Sequence, residues 1–121
     1  MSDFHITRIY ADAEGHTHFA DLQVPLSPAG PIGSLSEKYK VENLIFREVV
    51  PEYDYEFHRA PARQFIILLD GELEIETSLG DKRTFGPGEI LLVEDTEGKG
   101  HRSRNLLPVK RKSVFITLAG D

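Results

Sequence analysis

Apolar side chains recur at every second position along much of the chain. Leu22, Val24 and Leu26 do so, as do Tyr53, Tyr55 and Phe57, and Leu73 and Ile75 stand between acids in Glu72–Glu76. A period of two is the mark of a strand with one buried face. Short apolar runs at Leu44–Phe46, Phe65–Leu69, Ile90–Val93 and Val114–Leu118 are rich in β-branched and aromatic residues and predict buried strands. No window sustains a helical stripe over three turns, and the spacing predicts one short helical turn near Ser34–Tyr39. Asp70-Gly71, between two strand-like runs, predicts a two-residue hairpin, because a type I′ turn needs positive φ. Leu79-Gly80-Asp81 and Gly86-Pro87-Gly88 mark two further reversals. Many short strands without intervening helices indicate an all-β sandwich or barrel.

Two segments bear on what surrounds those strands. Pro25 to Ser36 holds three prolines, two glycines and three serines, which reads as a surface crossing or as a flap over one mouth of a barrel. Gln64-Phe-Ile-Ile-Leu-Leu-Asp70 is apolar on both faces. If Gln64, Ile66 and Leu68 point inward, Phe65, Ile67 and Leu69 need cover from a second sheet or a partner subunit, and a homodimer is the simplest expectation.

Composition narrows the function. A chain of 121 residues suits a single domain over 1–121. With 40% hydrophobic and 28% charged residues, disorder is excluded as the organising state. The absence of cysteine removes disulfides, thiolate metal sites and a cysteine nucleophile. A net charge of −6 argues against non-specific nucleic-acid binding. No signal peptide or membrane-length apolar run is visible, so the expected location is cytoplasmic, with no membrane partner. The chemistry that remains lies with five histidines.

Two of these sit in a motif. His58, Ala60, Gln64 and Gly71 keep the intervals of H-x-H-x3-E-x6-G, with Ala60 in place of the second histidine and Gln64 in place of the glutamate. Gly88, His101 and Asn105 match the glycine and the H-x3-N ending of a second motif, G-x5-P-x-G-x2-H-x3-N, without its proline and with a longer connection before His101. In these features the chain resembles the cupin superfamily over residues 44–118, with residues 1–43 adding N-terminal strands and a loop, and is most similar to small single-domain cupins of unassigned function. The resemblance implies a double-stranded β-helix, or jelly-roll, barrel. It also implies an inward pocket for a small-molecule ligand at the matching positions.

Family metal sites use three histidines and a glutamate. Here the match leaves His58, His101 and the neutral Gln64 for a divalent ion (iron, manganese, zinc or nickel), weakly held or absent. Glu56 lies two residues before His58, on the same face of a regular strand, where it either replaces the lost carboxylate or sits near the rim in water or paired with Arg59 or Arg63. His58, His101 and Glu56 are therefore the candidate catalytic residues and, with Gln64, the candidate metal ligands. Gln64, Ser103, Asn105 and Arg63 are the candidate pocket lining, Arg63 and Asn105 having surface-pair and turn roles as rivals. The leading expectation is a barrel that binds a small polar or anionic molecule, with metal-free, isomerase-like proton transfer by histidine. A metal-dependent oxygenase or isomerase and a non-catalytic ligand-sensing barrel are the alternatives. Tyr53, Tyr55 and Phe57 are expected to face away from His58 as sheet-packing core. His5, His16 and His18 are expected to be exposed. Lys110-Arg111-Lys112 reads as a solvated strand edge. Gly98-Lys-Gly100 lacks the Lys-Ser/Thr pair and following helix of a phosphate loop.

Overall fold

Extended backbone dominates residues 4–120, which the computed structural model describes. The strands are β1 (His5–Ala11), β2 (Thr17–Gln23), β3 (Ser27–Pro28), β4 (Ser34–Leu35), β5 (Val41–Val49), β6 (Asp54–His58), β7 (Gln64–Leu68), β8 (Leu73–Glu76), β9 (Lys82–Phe85), β10 (Ile90–Val93), β11 (His101–Asn105) and β12 (Arg111–Leu118). Six of them form a sheet in the order β2-β1-β10-β7-β12-β5, and four form a second sheet in the order β6-β11-β8-β9. The larger sheet is mixed, since β1 and β10 run parallel, and the smaller one is antiparallel. The chain is therefore all-β, as its alternation predicts. Among the described residues, no helix is long and apolar enough to cross a membrane.

The core lies between the sheets. Ile9, Leu68, Leu91 and Val93 from the larger sheet meet Leu73, Ile75 and Phe85 from the smaller one. The period of two does this sorting. Along β8, Leu73 and Ile75 are buried while Glu74 and Glu76 are half-buried on the other side. Each fully buried aliphatic side chain contributes roughly 1.5–3 kcal/mol.

Three turn expectations meet different outcomes. Leu79-Gly80-Asp81 does join an antiparallel pair, β8 and β9. Asp70-Gly71 makes no hairpin: β7 pairs with β10 and β12, and β8 with β11 and β9, so this tight turn carries the chain from one sheet to the other. Positive φ occurs at Gly71 and not at Asp70, so the turn is not type I′. A two-residue turn signal fixes a reversal of direction, and it does not fix which strands pair. Ser34–Tyr39 forms no helix. The only helical turn among the described residues is the 3-10 turn Gly30–Ile32, where Pro31 presets φ.

The Pro25–Ser36 segment does not close over the interior. With Tyr39 it packs on the outer face of the larger sheet, where the Tyr39 ring meets Phe65 edge-on at 5.4 Å and Leu35 borders the same groove as Ile67. The chain itself thus supplies part of the cover that the doubly apolar β7 requires.

The approach of Gly100 to the end of β6 sets the two sheet edges that matter for the site. A Cβ at Gly100 would lie 2.1 Å from the carbonyl oxygen of His58, and the Thr17 hydroxyl donates to the Gly100 carbonyl at 2.8 Å. Gly80 also has positive φ, but nothing lies within 4 Å of its Cβ position. Gly100→Ala is therefore expected to cost more than ~3 kcal/mol in urea unfolding, and Gly80→Ala only ~1 kcal/mol. Equal losses for the two would show that the contact with His58 is not constraining.

Candidate functional site

His58 and His101 are cross-strand partners on β6 and β11. Their ring centres lie 4.6 Å apart, and both border an interior cavity of about 280 Å³. The histidines of the first strand pair behave differently. His5 binds Asp21 at 2.9 Å, His18 binds Asp12 at 2.6 Å, and the His16 ring contacts the Ser78 hydroxyl at 3.1 Å. His5 is exposed, but His16 and His18 are half-buried by these partners rather than free on the surface.

The ring nitrogens of the central pair are assigned by their partners. Nδ1 of His101 donates to Oδ2 of Asp95 at 2.5 Å, and Nδ1 of His58 donates to the main-chain carbonyl of Glu56 at 2.7 Å. A carbonyl only accepts, so His58 carries its proton on Nδ1 and keeps a lone pair on Nε2. The Asp95 carboxylate selects the same tautomer in His101. Asp95 is fully buried, and its second oxygen has no partner. Burial, opposed by the bond to the Glu56 carbonyl, holds the His58 pKa below its usual value of 6.5.

The register slips between the two histidines and the next pair. His101 faces His58 and Ser103 faces Tyr55, so two residues of β11 span three of β6. A bulge of this kind reverses the faces of the strand beyond it. Tyr55 consequently joins His58 and stacks on its ring at 3.8 Å with an interplanar angle of 17°. Glu56 is turned outward. Its side chain is 80% exposed and lies 3.9 Å from Arg102, which corrects the expectation that it shares the face of His58. The tyrosine stripe is corrected by the same slip. Tyr53 borders the cavity and packs on the core, Tyr55 covers His58, and Phe57 is exposed.

The remaining expected lining residues divide. Gln64 is buried and borders the cavity. Ser103 does so too, its hydroxyl 2.6 Å from that of Tyr53. Arg63 lies outside, where it and Arg8 clamp Glu94. Asn105 does not line the cavity either. Its amide donates to the Val50 carbonyl at 3.1 Å and its oxygen accepts from Nε of Arg111 at 2.7 Å.

Arg111 is the residue that sequence reasoning missed. Read as the middle of a solvated basic triplet, it is in fact 1% exposed and borders the cavity. Its position on β12 explains this, because Ser113 and Thr117 on the same face are buried as well. Gly71 makes the room: a Cβ there would lie 3.0 Å from Cγ of Arg111. Both Nη1 and Nη2 of Arg111 are buried without a partner. Arg47 on β5 borders the same space, and the two guanidinium carbons lie 4.9 Å (Arg47) and 5.4 Å (Arg111) from the Tyr53 ring centre. Burial and then the charge of Arg47 hold the Arg111 pKa below its ordinary value. Arg59 also borders the cavity, whereas none of its lining residues is Asp or Glu.

These donors do not fit a divalent metal ion. His58 and His101 offer one Nε2 each and Gln64 a neutral amide, while Asp95 is engaged by Nδ1 of His101 and Glu56 points outward. No group of three or more His, Cys, Asp or Glu able to hold a metal occurs among the described residues. Arginines around the same space add repulsion toward a cation. The arrangement suits an anion.

No protein-family model matches the chain, and no curated protein matches it. Among solved structures it is similar to protein NMB1881 from Neisseria meningitidis, at a TM-score of 0.50 and 18% sequence identity, covering 68% of this chain and 83% of that one. At that identity the likeness is one of fold alone.

The position of His58 carries a pH consequence. A histidine whose folded pKa is depressed binds its proton less readily than in the unfolded chain, so stability falls as pH drops through 6.5 and the loss levels off below the folded pKa. An NMR titration of the imidazole protons is expected to give His58 a midpoint below 6.5. A midpoint above that value would contradict the partial burial of its ring.

Proposed function

We propose that this chain is a small single-domain barrel of the cupin, jelly-roll type that binds a small organic anion in its interior, where His58 and His101 move a proton on the bound molecule without a metal. The observation that carries this reading is Arg111, a buried cation with both terminal nitrogens unpartnered, in a cavity with no lining carboxylate. Leaving a buried charge unpaired costs several kcal/mol, so an anionic ligand relieves a strain already present. The motif intervals at His58, Gln64, Gly71 and His101 and the all-β architecture support the cupin assignment.

The two imidazoles suit acid–base work because each has its Nδ1 occupied and its Nε2 free. The low pKa of His58 keeps it unprotonated at neutral pH, ready to accept a proton. Proton transfer between two positions of a bound acid needs no redox partner, which fits an isomerase-like role. The expected setting is cytoplasmic.

The test is a thermal-shift screen of small anions, with Arg111→Met as the control. A true ligand at one hundred times its Kd adds roughly 2.7 kcal/mol to stability. Arg111→Met is expected to abolish that gain while leaving the unliganded protein as stable as wild type or more so. Ligand hits are then followed by NMR for uptake of solvent deuterium, which His101→Gln should suppress. Binding without exchange would leave a ligand-sensing barrel, and stabilisation that survives Arg111→Met would sink the reading.

We also propose a homodimer, seated on β5. The other sheet edges carry charges along their length, Asp21 on β2, Asp54 and Glu56 on β6, Lys82 and Arg83 on β9, whereas β5, charged at Glu42, Arg47 and Glu48 towards its ends, exposes Leu44, Ile45 and Phe46 in its middle. An edge with an exposed apolar centre pairs readily with a copy of itself. Sedimentation velocity should show a dimer that Phe46→Lys converts to monomer, and a monomeric wild type would exclude it.

A further inference from the structure

The cavity also specifies which anion fits. Resting on the anion-binding reading above, we infer that the ligand is a carboxylic acid with an apolar, ring-sized body and a polar group at its far end. Its carboxylate sits on Arg111 and its far end reaches His58 and His101.

The head group follows from the edge that Arg111 presents. Asn105 occupies Nε at 2.7 Å, so Nη1 and Nη2 remain as a pair of parallel donors, buried and without a protein partner, on a residue that borders the cavity. Two coplanar N–H groups match the two oxygens of a carboxylate, and the resulting bidentate pair is short and charge-assisted. Arg47 supplies a second positive charge from β5. A phosphate dianion is served best by a ring of backbone amides or a helix N-terminus. No helix N-terminus borders the cavity, since the one helical turn among the described residues, Gly30–Ile32, lies elsewhere.

The body follows from the walls. Ile66, Leu73, Ile75, Val93 and Phe115 line the cavity between its charged groups, so the middle of the ligand is hydrocarbon. Its aromatic character follows from the wall of rings. Tyr53 lies beside both arginines, Tyr55 stands 6.5 Å from Tyr53, and Tyr55 stacks on His58. Two tyrosines thus line the wall between Arg111 and the imidazoles, and a ligand with an aromatic body packs along them. The far end meets two free Nε2 atoms, which bind a hydroxyl or other hydrogen-bonding group. A volume of about 280 Å³ holds a ring-sized acid and excludes a nucleotide-sized one.

Isothermal titration with 4-hydroxybenzoate, 4-hydroxybenzamide and inorganic phosphate, in a buffer free of carboxylates, tests this. The acid should bind saturably. Its amide, phosphate and the acid against Arg111→Lys should each be weaker by at least about tenfold, with the circular dichroism of the variant unchanged. If Arg111→Lys fails to fold, the wild-type comparison of acid with amide decides the head group. An amide that binds as well as the acid, or phosphate that binds as tightly, overturns the carboxylate assignment. If no probe binds while other anions stabilise the protein in the thermal screen, this inference fails and the anion-binding reading stands. If that screen is negative too, both fail.

Discussion

Two residues of β11 are spanned by three of β6, and the directions of Tyr55 and Glu56 beside the cavity follow from that mismatch. A strand in perfect register would have carried Glu56 inward beside His58 and placed Tyr55 outside. With the extra residue, a ring rather than a carboxylate shares the face of His58, and the only nearby carboxylate is Asp95, beneath His101. The bulge therefore changes the sign of what the mouth attracts. It is held from below by Gly100, whose missing Cβ lets β11 start against the His58 carbonyl, so a backbone contact fixes the electrostatics of a site made of side chains.

The arginines fall into two groups by environment. On the exterior, Arg8 and Arg63 share Glu94, Arg83 binds Asp21, Arg102 binds Asp54, and Arg104 binds Glu74. Such exposed pairs contribute little each, typically below ~1 kcal/mol. Arg47 and Arg111 face the interior, where the second has only an amide oxygen on Nε and a tyrosine ring beside it. An acidic chain with a net charge of −6 thus keeps one positive charge, Arg111, buried inside without a carboxylate partner. That placement favours small anions in the cavity, because a counter-charge shielded from water attracts them more strongly than the solvated lysines outside.

Local pattern made the fold legible: the strand at Leu73 and Ile75 follows from period-two alternation, and those at Ile90–Val93 and Val114–Leu118 from short apolar runs rich in β-branched residues. Pairing was not legible at Asp70-Gly71, because a turn signal is local and the choice between hairpin and sheet crossing depends on distant strands. The site was legible where intervals carry it, at His58, Gln64, His101 and Ser103. It was hidden where it depends on a slip of register, at Glu56 and Tyr55, and where a buried charge resembles an exposed one, at Arg111. A signal did exist for the last. Arg111, Ser113, Phe115 and Thr117 share one parity, and a strand whose other face carries Val114 and Ile116 outward leaves Arg111 pointing in. Asp95 had no such signal, since Glu94-Asp-Thr-Glu97 looks like any acidic surface loop.

Arg111 heads β12, a strand hydrogen-bonded on one side to β5 and on the other to β7. With the proposed anion in place, neutralising that charge reinforces a strand of the larger sheet rather than a peripheral loop. The empty protein then opens more often than the loaded one, and proteases act on the opened form. In a living cell the amount of this protein would rise and fall with the supply of its ligand, so that its own turnover reports the ligand's concentration.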